Sequence, residues 1–220
     1  MKIIRIGRLF YIYMKNYLGV LLVFISTFGF AQERCGFSIG NKIKQANNPN
    51  WIKQQVEFEY QLKALENKNG GQNLRVTAII YKIPVVVHVI HNNASNFIGG
   101  TNNTNISDEQ IKSQIIVLNE DYRKKVGTNG FNTNSVGADM EIEFELAQKD
   151  SQGNATTGIT RTYVNKQGFD LQYDNQNIAN IIHWDFEKYL NIWVVKSKNG
   201  TIGYSEFPYD SDLIGLEADA

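Results

Sequence analysis

The stretch Tyr189–Pro208 places the strongest constraint on the fold, because it predicts two consecutive strands of different character. Its first run, Tyr189–Lys196, is apolar on both faces, which is typical of a strand inside a sheet. Lys198–Gly200 supplies an Asn-Gly turn. The second run, Thr201–Pro208, is more polar and ends in proline, which indicates an edge strand. Such a pair can form the floor and rim of a peptide-binding cleft, and an ordinary hairpin that binds nothing has the same pattern.

The N-terminal residues predict export. Tyr17–Ala31 is almost entirely apolar but shorter than the roughly 20 residues that a membrane span requires. The small residues Gly29 and Ala31 stand where a signal peptidase prefers them, so we expect a signal peptide at 1–31 that is cleaved after Ala31. Met14 is a more usual start than Met1. The mature protein is therefore expected to be secreted, without a membrane anchor.

The bulk composition narrows the classes of partner. Lys plus Arg and Asp plus Glu number 22 each, so the net charge is zero and favours neither nucleic acid nor an anionic membrane surface. The 220 residues suffice for one domain with a core and a smaller appendage. A single cysteine allows no internal disulfide.

The chain divides into a small leader at residues 32–78 and a main domain at residues 79–220. In the leader, Trp51–Asn67 predicts a helix, and the Asn- and Gly-rich residues 67–73 predict a loop. In the main domain the order of elements predicts an α/β or α+β fold, with one mixed sheet and helices packed on it. The first expected element is a strand buried on both faces at Ile79–Ile90. A helix follows, capped by Ser107 and Gln110, with the apolar stripe Ile111, Ile115, Leu118 and Tyr122. The remaining elements are a half-buried strand at Met140–Ala147, a short strand at Ile159–Val164 and a helix at Gln176–Glu187.

The residues alone do not assemble an active site. His88 and His91 are three apart in a strand, so their side chains face opposite ways and should have hydrogen-bond partners rather than a shared metal. His183 is expected on a helix without a second histidine nearby. Cys35 could pair with a histidine only through the fold, and the glutamates at 141, 143 and 145 are expected on a solvated face. Walker and dinucleotide-binding motifs do not occur.

A series of segments resembles a known family. In order and spacing they are similar to the N-terminal part of pappalysin-family zinc metallopeptidases of the cytophagalysin type, from Cys35 nearly to the end of the sequence. The segments are Arg34–Gly36, Ile83–His91, Asn105–Ile111, Leu118–Tyr122, Ile159–Arg161, Leu190–Val195 and Gly203–Pro208.

The resemblance implies a metzincin-like upper subdomain, in which a mixed sheet with helices lies over a cleft. It implies that an edge strand binds a protein or peptide substrate in antiparallel extension. It also implies zinc as the cofactor and leaves calcium open as a further ion. The residues of the implied substrate-binding edge are Thr201, Ile202, Gly203, Tyr204, Ser205, Glu206 and Phe207.

The leader resembles a propeptide. Arg34–Gly36 resembles the family's cysteine switch, in which the thiolate of Cys35 would ligate zinc and keep the zymogen latent. A thiolate is a strong zinc ligand and fills the position that a catalytic water needs. An incidental free thiol is the alternative for Cys35.

The family's zinc motif, H-E-x-x-H-x-x-G-x-x-H, and its methionine turn do not occur in these 220 residues. No catalytic residue of the family can therefore be assigned. We expect the sequence to stop before the zinc-binding helix and to be inactive as given. Two alternatives are a non-catalytic peptide-binding module and a propeptide-like inhibitor that acts in trans through Cys35.

Overall fold

The computed structural model describes residues 41–43, 45–46, 48–69, 79–171, 173–203 and 205. The predicted signal peptide and Cys35 lie outside these ranges, as does most of the predicted loop at 67–73. The elements are α1 (Trp51–Asn69), β1 (Tyr81–His91), α2 (Asp108–Tyr122), β2 (Ile142–Leu146), β3 (Ile159–Tyr163), α3 (Asn175–Ile181) and β4 (Leu190–Val194). None of the described helices is both long and apolar enough to span a bilayer.

β1 is the central strand, and each of the other three strands pairs with it in parallel. Its first half pairs with β2 and its second half with β3. The backbone groups of Tyr81, Val85, Val87 and His91 make the bonds on that side, at 2.8 Å each. Successive residues of a strand present their N–H and C=O groups to opposite edges. Because these four residues are all odd-numbered, their groups face the same edge of β1, and β2 and β3 therefore lie end to end along that edge. β4 consequently lies along the other edge.

β1 is buried on both faces, as its sequence predicts. Its odd-numbered valines, Val85, Val87 and Val89, form one core cluster with Ile111 of α2 and Phe144 of β2. On the opposite face, Ile90 packs with Phe169 and with Ile178 of α3. The sheet is therefore covered by one helix on each side, which is the α+β architecture expected from the order of elements. The described strand pairings within the sheet are all parallel, and the expected antiparallel partner falls on residues 201–207.

α2 begins and packs as predicted. The Ser107 side chain accepts a hydrogen bond from the N–H of Gln110 at 3.2 Å, which caps the helix. Tyr122, at the end of the helix, meets Phe144 edge-on at 4.8 Å between ring centroids. Asn119 adds a contact that periodicity does not reveal: its amide donates to the Phe144 carbonyl at 2.9 Å and accepts from the Phe144 N–H at 2.7 Å. One side chain thus satisfies backbone groups that β2 would otherwise leave unpaired.

α3 is shorter than the helix predicted at Gln176–Glu187. It ends at Ile181, and Ile182 is extended, with φ −165° and ψ 133°. The physical reason lies on β4, where the Asn191 side chain accepts from the N–H of Trp184 at 2.7 Å and donates to the Trp184 carbonyl at 3.0 Å. These bonds replace the hydrogen bonds that a longer helix would have made at that residue.

α1 forms at the predicted place, two residues longer than expected. Trp51 is buried, but the apolar residues with helical spacing lie at the surface. The exposed fractions are 56% for Ile52, 59% for Val56, 45% for Leu62 and 57% for Leu65. The helical prediction is confirmed, and in the described part of the chain its apolar stripe is solvent-accessible.

Candidate functional site

The structure describes only part of the predicted substrate-binding edge. Tyr204, Glu206 and Phe207 lie outside the described residues, as does the predicted zinc ligand Cys35. Thr201 is buried at 8% exposed, whereas Ile202 is 78% exposed. Gly203 is half-buried and Ser205 is exposed. These four residues are not part of an assigned strand, so the predicted hairpin remains a prediction.

The edge begins at the carboxyl end of the parallel sheet, where the loops after β1, β3 and β4 meet. In open parallel sheets this end is where ligands usually bind. The segment after β4 is fixed there by Phe169: the Phe169 N–H donates to the Lys196 carbonyl at 2.8 Å, and the Lys198 N–H donates to the Phe169 carbonyl at 2.9 Å. Ser197 also forms a parallel bridge with Phe169. The loop after β3 therefore determines where the chain leaves β4 toward Thr201.

The loop after β3 is itself held by an ion pair. The Lys166 ammonium lies 2.9 Å from Asp174 Oδ2 and 4.4 Å from the centre of the Phe169 ring. The same carboxylate accepts the N–H of Asp170 at 2.9 Å. Burial by itself would raise the pKa of the Asp174 carboxyl, but the Asp170 N–H and the Lys166 ammonium outweigh that effect and lower the pKa. Asp174 is consequently held as a carboxylate that orders the loop.

His88 lies at the centre of the sheet and connects three strands. Its Nδ1 is 2.7 Å from Thr160 Oγ1 on β3, and its Nε2 is 2.8 Å from Asn191 Oδ1 on β4. The Asn191 amide nitrogen donates to the carbonyls of Trp184 and Tyr189 at 3.0 and 3.2 Å, which establishes which of its atoms is the oxygen. Nε2 therefore carries the proton, and Nδ1 accepts from the Thr160 hydroxyl.

This arrangement favours the neutral imidazole. The His88 side chain is completely buried. Its burial lowers the pKa of His88, against the hydrogen bond to Asn191, which raises it. The positive charge that His183 can carry lowers the pKa of His88 further. Both ring nitrogens are already bonded to protein, so His88 is a structural histidine, as its position in the strand predicts.

The other two histidines do not join it around a metal. His91 is 3% exposed, and its Nδ1 has no hydrogen-bond partner among the described residues, but the imidazole does have the expected kind of partner in the backbone of Asn93. Burial lowers the pKa of His91, and the nearby Arg161 guanidinium lowers it further. His183 Nδ1 donates to the Ala179 carbonyl at 3.0 Å, and its ring stacks on Phe186 at 5.1 Å. In the described part of the chain, three metal-ligating side chains do not converge anywhere. These residues therefore do not fit a zinc site.

Arg161 anchors the polar loop that follows β1. Its Nη1 donates to Asn105 Oδ1 at 2.6 Å and to the Ile106 carbonyl at 2.8 Å. Its Nη2 pairs with the carboxylate of Asp108 at the start of α2. Asn105 is 1% exposed, so this contact lies inside the protein. The sequence placed Arg161 only within a family-like segment, since a long-range hydrogen bond leaves no periodic signal.

Chemically, the described residues form a scaffold. The buried polar groups of β1, β3 and β4 fix the positions of the strands, and the loops at the carboxyl end fix the segment that leads to Thr201. Thr160, Asn191 and Arg161 were not assigned a site role from sequence, because their partners are distant along the chain.

No protein-family model matches this chain, and no curated protein matches it. Among solved structures it is similar to a Tannerella forsythia promirolysin mutant, with 30% identity and a TM-score of 0.61 over 84% of this chain and 57% of that one. It is also similar to T. forsythia mature mirolysin in complex with a cleaved peptide, with 37% identity and a TM-score of 0.50 over 62% of this chain and 49% of that one. The chain thus spans about half the length of these structures. The similarity supports a metallopeptidase relationship and a mixed α+β fold like that of the mirolysin precursor.

Proposed function

We propose that this chain is the N-terminal part of an exported zinc metalloendopeptidase of the pappalysin family. In this proposal, residues 1–31 are a signal peptide, residues 32–78 are a latency-conferring propeptide, and residues 79–220 are the upper part of the catalytic domain. The observation that carries it is the similarity to promirolysin across 84% of the chain. The 30% identity over that length supports a shared enzymatic ancestry.

The difference between the two mirolysin forms supports the propeptide assignment. The precursor matches 84% of this chain and the mature form matches 62%, a difference of about 48 of its 220 residues. The proposed leader at residues 32–78 is of about that length. A removable propeptide, present in the precursor and absent from the mature enzyme, would produce such a difference in coverage.

We assign the binding of peptide to residues Thr201–Phe207. The mature relative was solved with a cleaved peptide, which supports a peptide substrate for this chain too. In the described structure, the hydrogen bonds of Phe169 fix the backbone up to Lys198, so the following residues start from a defined position. The side chain of Ile202 is 78% exposed, and added peptide could pack against it. Peptide binding by an extended edge uses backbone hydrogen bonds for affinity and side-chain pockets for specificity.

In this proposal zinc is the cofactor of the enzyme, whereas calcium is left open. The described residues do not fit a zinc site, so the histidines that would hold zinc are not among them. Cys35 is proposed as the ligand of the latent state only, on the strength of Arg34–Gly36. When bound, zinc would supply Lewis-acid chemistry for peptide hydrolysis. Calcium is open as a second ion, and the described residues provide no group of carboxylates for it.

Inhibition in trans tests the latency role of the leader. The chain without its signal peptide, starting at Gln32, is added to mature mirolysin, and hydrolysis of a peptide substrate is measured. We expect inhibition by the native chain and none by Cys35→Ala, because the thiolate is the proposed zinc ligand. Gln45→Ala, at an exposed position of the same leader, serves as the matched control and should inhibit like the native chain. Equal inhibition by Cys35→Ala would overturn the cysteine switch, and no inhibition by the native chain would overturn the latency role.

Amide chemical-shift changes on titration with peptide test the binding edge. An added Cβ at Gly203 meets nothing within 4 Å, so Gly203→Ala should fold normally and bind. Ile202→Pro and Gly203→Pro each remove one N–H, and because successive N–H groups point to opposite sides, one of them removes a donor that faces the peptide. We expect one proline variant to lose binding. Binding that survives both, or shift changes confined to other residues, would contradict the assignment.

A second candidate is a secreted peptide-binding module without hydrolytic activity. The observation that favours it is the exposure of Ile202 (78%) in the segment after β4, which would allow peptide to pack there whether or not hydrolysis follows. For both candidates we expect the 220-residue chain to bind no stoichiometric zinc and to leave casein intact. Zinc content measured by mass spectrometry together with a casein assay decides this, and tight zinc with proteolysis would contradict both.

A further inference from the structure

The turn after β4 is attached to the loop after β3 through one exposed asparagine. Asn199 Nδ2 donates to Asp170 Oδ1 at 3.2 Å, and Asn199 Oδ1 accepts from the Ser197 hydroxyl at 3.0 Å. The next residue, Gly200, is exposed and has φ +74°. Asn199 itself does not have a positive φ, so Gly200 alone provides the unusual turn conformation.

This dipeptide has the groups required for intramolecular deamidation. Gly200 has no Cβ that would shield its backbone nitrogen. No backbone carbonyl among the described residues accepts a hydrogen bond from that nitrogen. The Ser197 hydroxyl, which donates to Asn199 Oδ1, polarises the amide carbon toward attack and stabilises the developing oxyanion.

The reaction balances with water as the only co-reactant. The Gly200 nitrogen attacks Cγ of Asn199 and loses its proton, the amide nitrogen leaves as ammonia, and a five-membered succinimide forms. Water then opens the succinimide at one of its two carbonyls. The product is aspartate or isoaspartate at position 199, so a neutral amide has become a carboxylate.

A second Asn-Gly pair in the described chain provides a contrast. At Asn129-Gly130, a Cβ placed on Gly130 would lie 2.4 Å from the Glu120 carbonyl oxygen and 2.7 Å from Asp121 Cα. The Gly130 backbone is therefore pressed against the end of α2. Ring closure requires the Gly130 nitrogen to approach Cγ of Asn129, and this packing opposes that movement.

We propose that Asn199 is a site of spontaneous deamidation whose product releases the β4 turn from the loop after β3. The amide donor to Asp170 is lost, and a second negative charge replaces it about 3 Å from the Asp170 carboxylate. Like charges at this distance repel, so the turn separates from that loop. In combination with the proposed function, this change would loosen the segment that precedes Thr201 and weaken peptide binding.

Peptide mapping by mass spectrometry tests the modification. The full chain is incubated at mildly alkaline pH, and the mass increase that accompanies loss of an amide is followed at each site. We expect Asn199 to convert while Asn129 is still intact. Asn199→Gln should show no conversion at this position on the same timescale, because its longer side chain would have to form a six-membered ring. Conversion of Asn129 at the same rate or earlier would overturn the proposal.

Hydrogen exchange tests the structural consequence independently of any ligand. In Asn199→Asp, the amides of Phe169 and Lys198 should exchange faster than in the native chain, with unchanged exchange in β1. Ser197→Ala is the control that removes a hydroxyl without adding charge. Unchanged exchange at Phe169 and Lys198 would overturn release of the turn. If exchange accelerates and peptide affinity does not fall, the deamidation site stands and the proposed role of Thr201–Phe207 in binding fails.

Discussion

Replacing Thr160 by valine should test the assignment of His88 as a neutral histidine with its proton on Nε2. The hydroxyl lies 2.7 Å from His88 Nδ1, and Nε2 already donates to Asn191. Valine has nearly the same shape as threonine, so the substitution removes one donor and little volume. It leaves the Nδ1 lone pair without a partner inside the sheet. The expected result is a loss of stability from one unsatisfied buried acceptor.

The size of that loss follows from the burial of the ring. Leaving a buried acceptor unpaired costs about 1–3 kcal/mol. His88 is 0% exposed, so water cannot replace the hydroxyl, and we expect about 2 kcal/mol. With a urea m-value of about 1–3 kcal/mol per molar, the unfolding midpoint should fall by about 1 M.

Thr162→Val is the matched control. Thr162 lies two residues further along β3, is half-buried like Thr160, and its hydroxyl has no hydrogen bond among the described residues. Its replacement should change the free energy of unfolding by less than about 0.5 kcal/mol. Equal effects of the two substitutions would refute the hydrogen bond to His88. Nitrogen NMR that finds the proton on Nδ1 would refute the tautomer.

Three further outcomes are expected. Because burial lowers the pKa of His88, the unfolded chain binds a proton that the folded chain does not, so the free energy of unfolding should fall as pH drops below about 6.5. In urea titrations, His88→Gln should reduce the slope of the unfolding free energy against pH by up to about 1.4 kcal/mol per pH unit, and an unchanged slope would contradict this. Gly158→Ala should lower the melting temperature more than Gly153→Ala, because both glycines have positive φ but only a Cβ at position 158 would lie 2.7 Å from the Ala147 nitrogen. Equal changes in melting temperature would show that packing around Gly158 is unimportant. Ser107→Ala should cost about 1 kcal/mol through the lost helix cap, while Ser107→Asp retains it, and calorimetry that finds no difference would argue against capping.

Local patterns were sufficient where structure depends on near neighbours. The β-branched run of β1 predicted a strand with two buried faces, and two core clusters lie on those faces. Ser107 predicted the start of α2, and its side chain caps the helix there. In each case the information lies within a few residues, because period and capping are local properties.

The contacts of the candidate site could not be predicted from local sequence patterns. The contacts that fix it join residues far apart in sequence: Thr160 is 72 positions from His88, and Asn191 is 103 positions from it. Periodicity carries no record of such pairs. The sequence resemblance pointed to Thr201–Phe207 and Cys35, but it did not indicate that Phe169 and Asp174 hold the loop beside that edge.

By itself, the sequence determined a strand buried on both faces, the N-terminal cap of α2, and the likeness to a metallopeptidase. The tertiary structure alone decided that α3 stops at Ile181, that burial lowers the pKa of His88, and that Arg161 anchors the loop after β1. The reason is that burial removes water as an alternative partner. Each buried polar group must then find a donor or acceptor wherever the fold brings one, and that choice overrides local propensity.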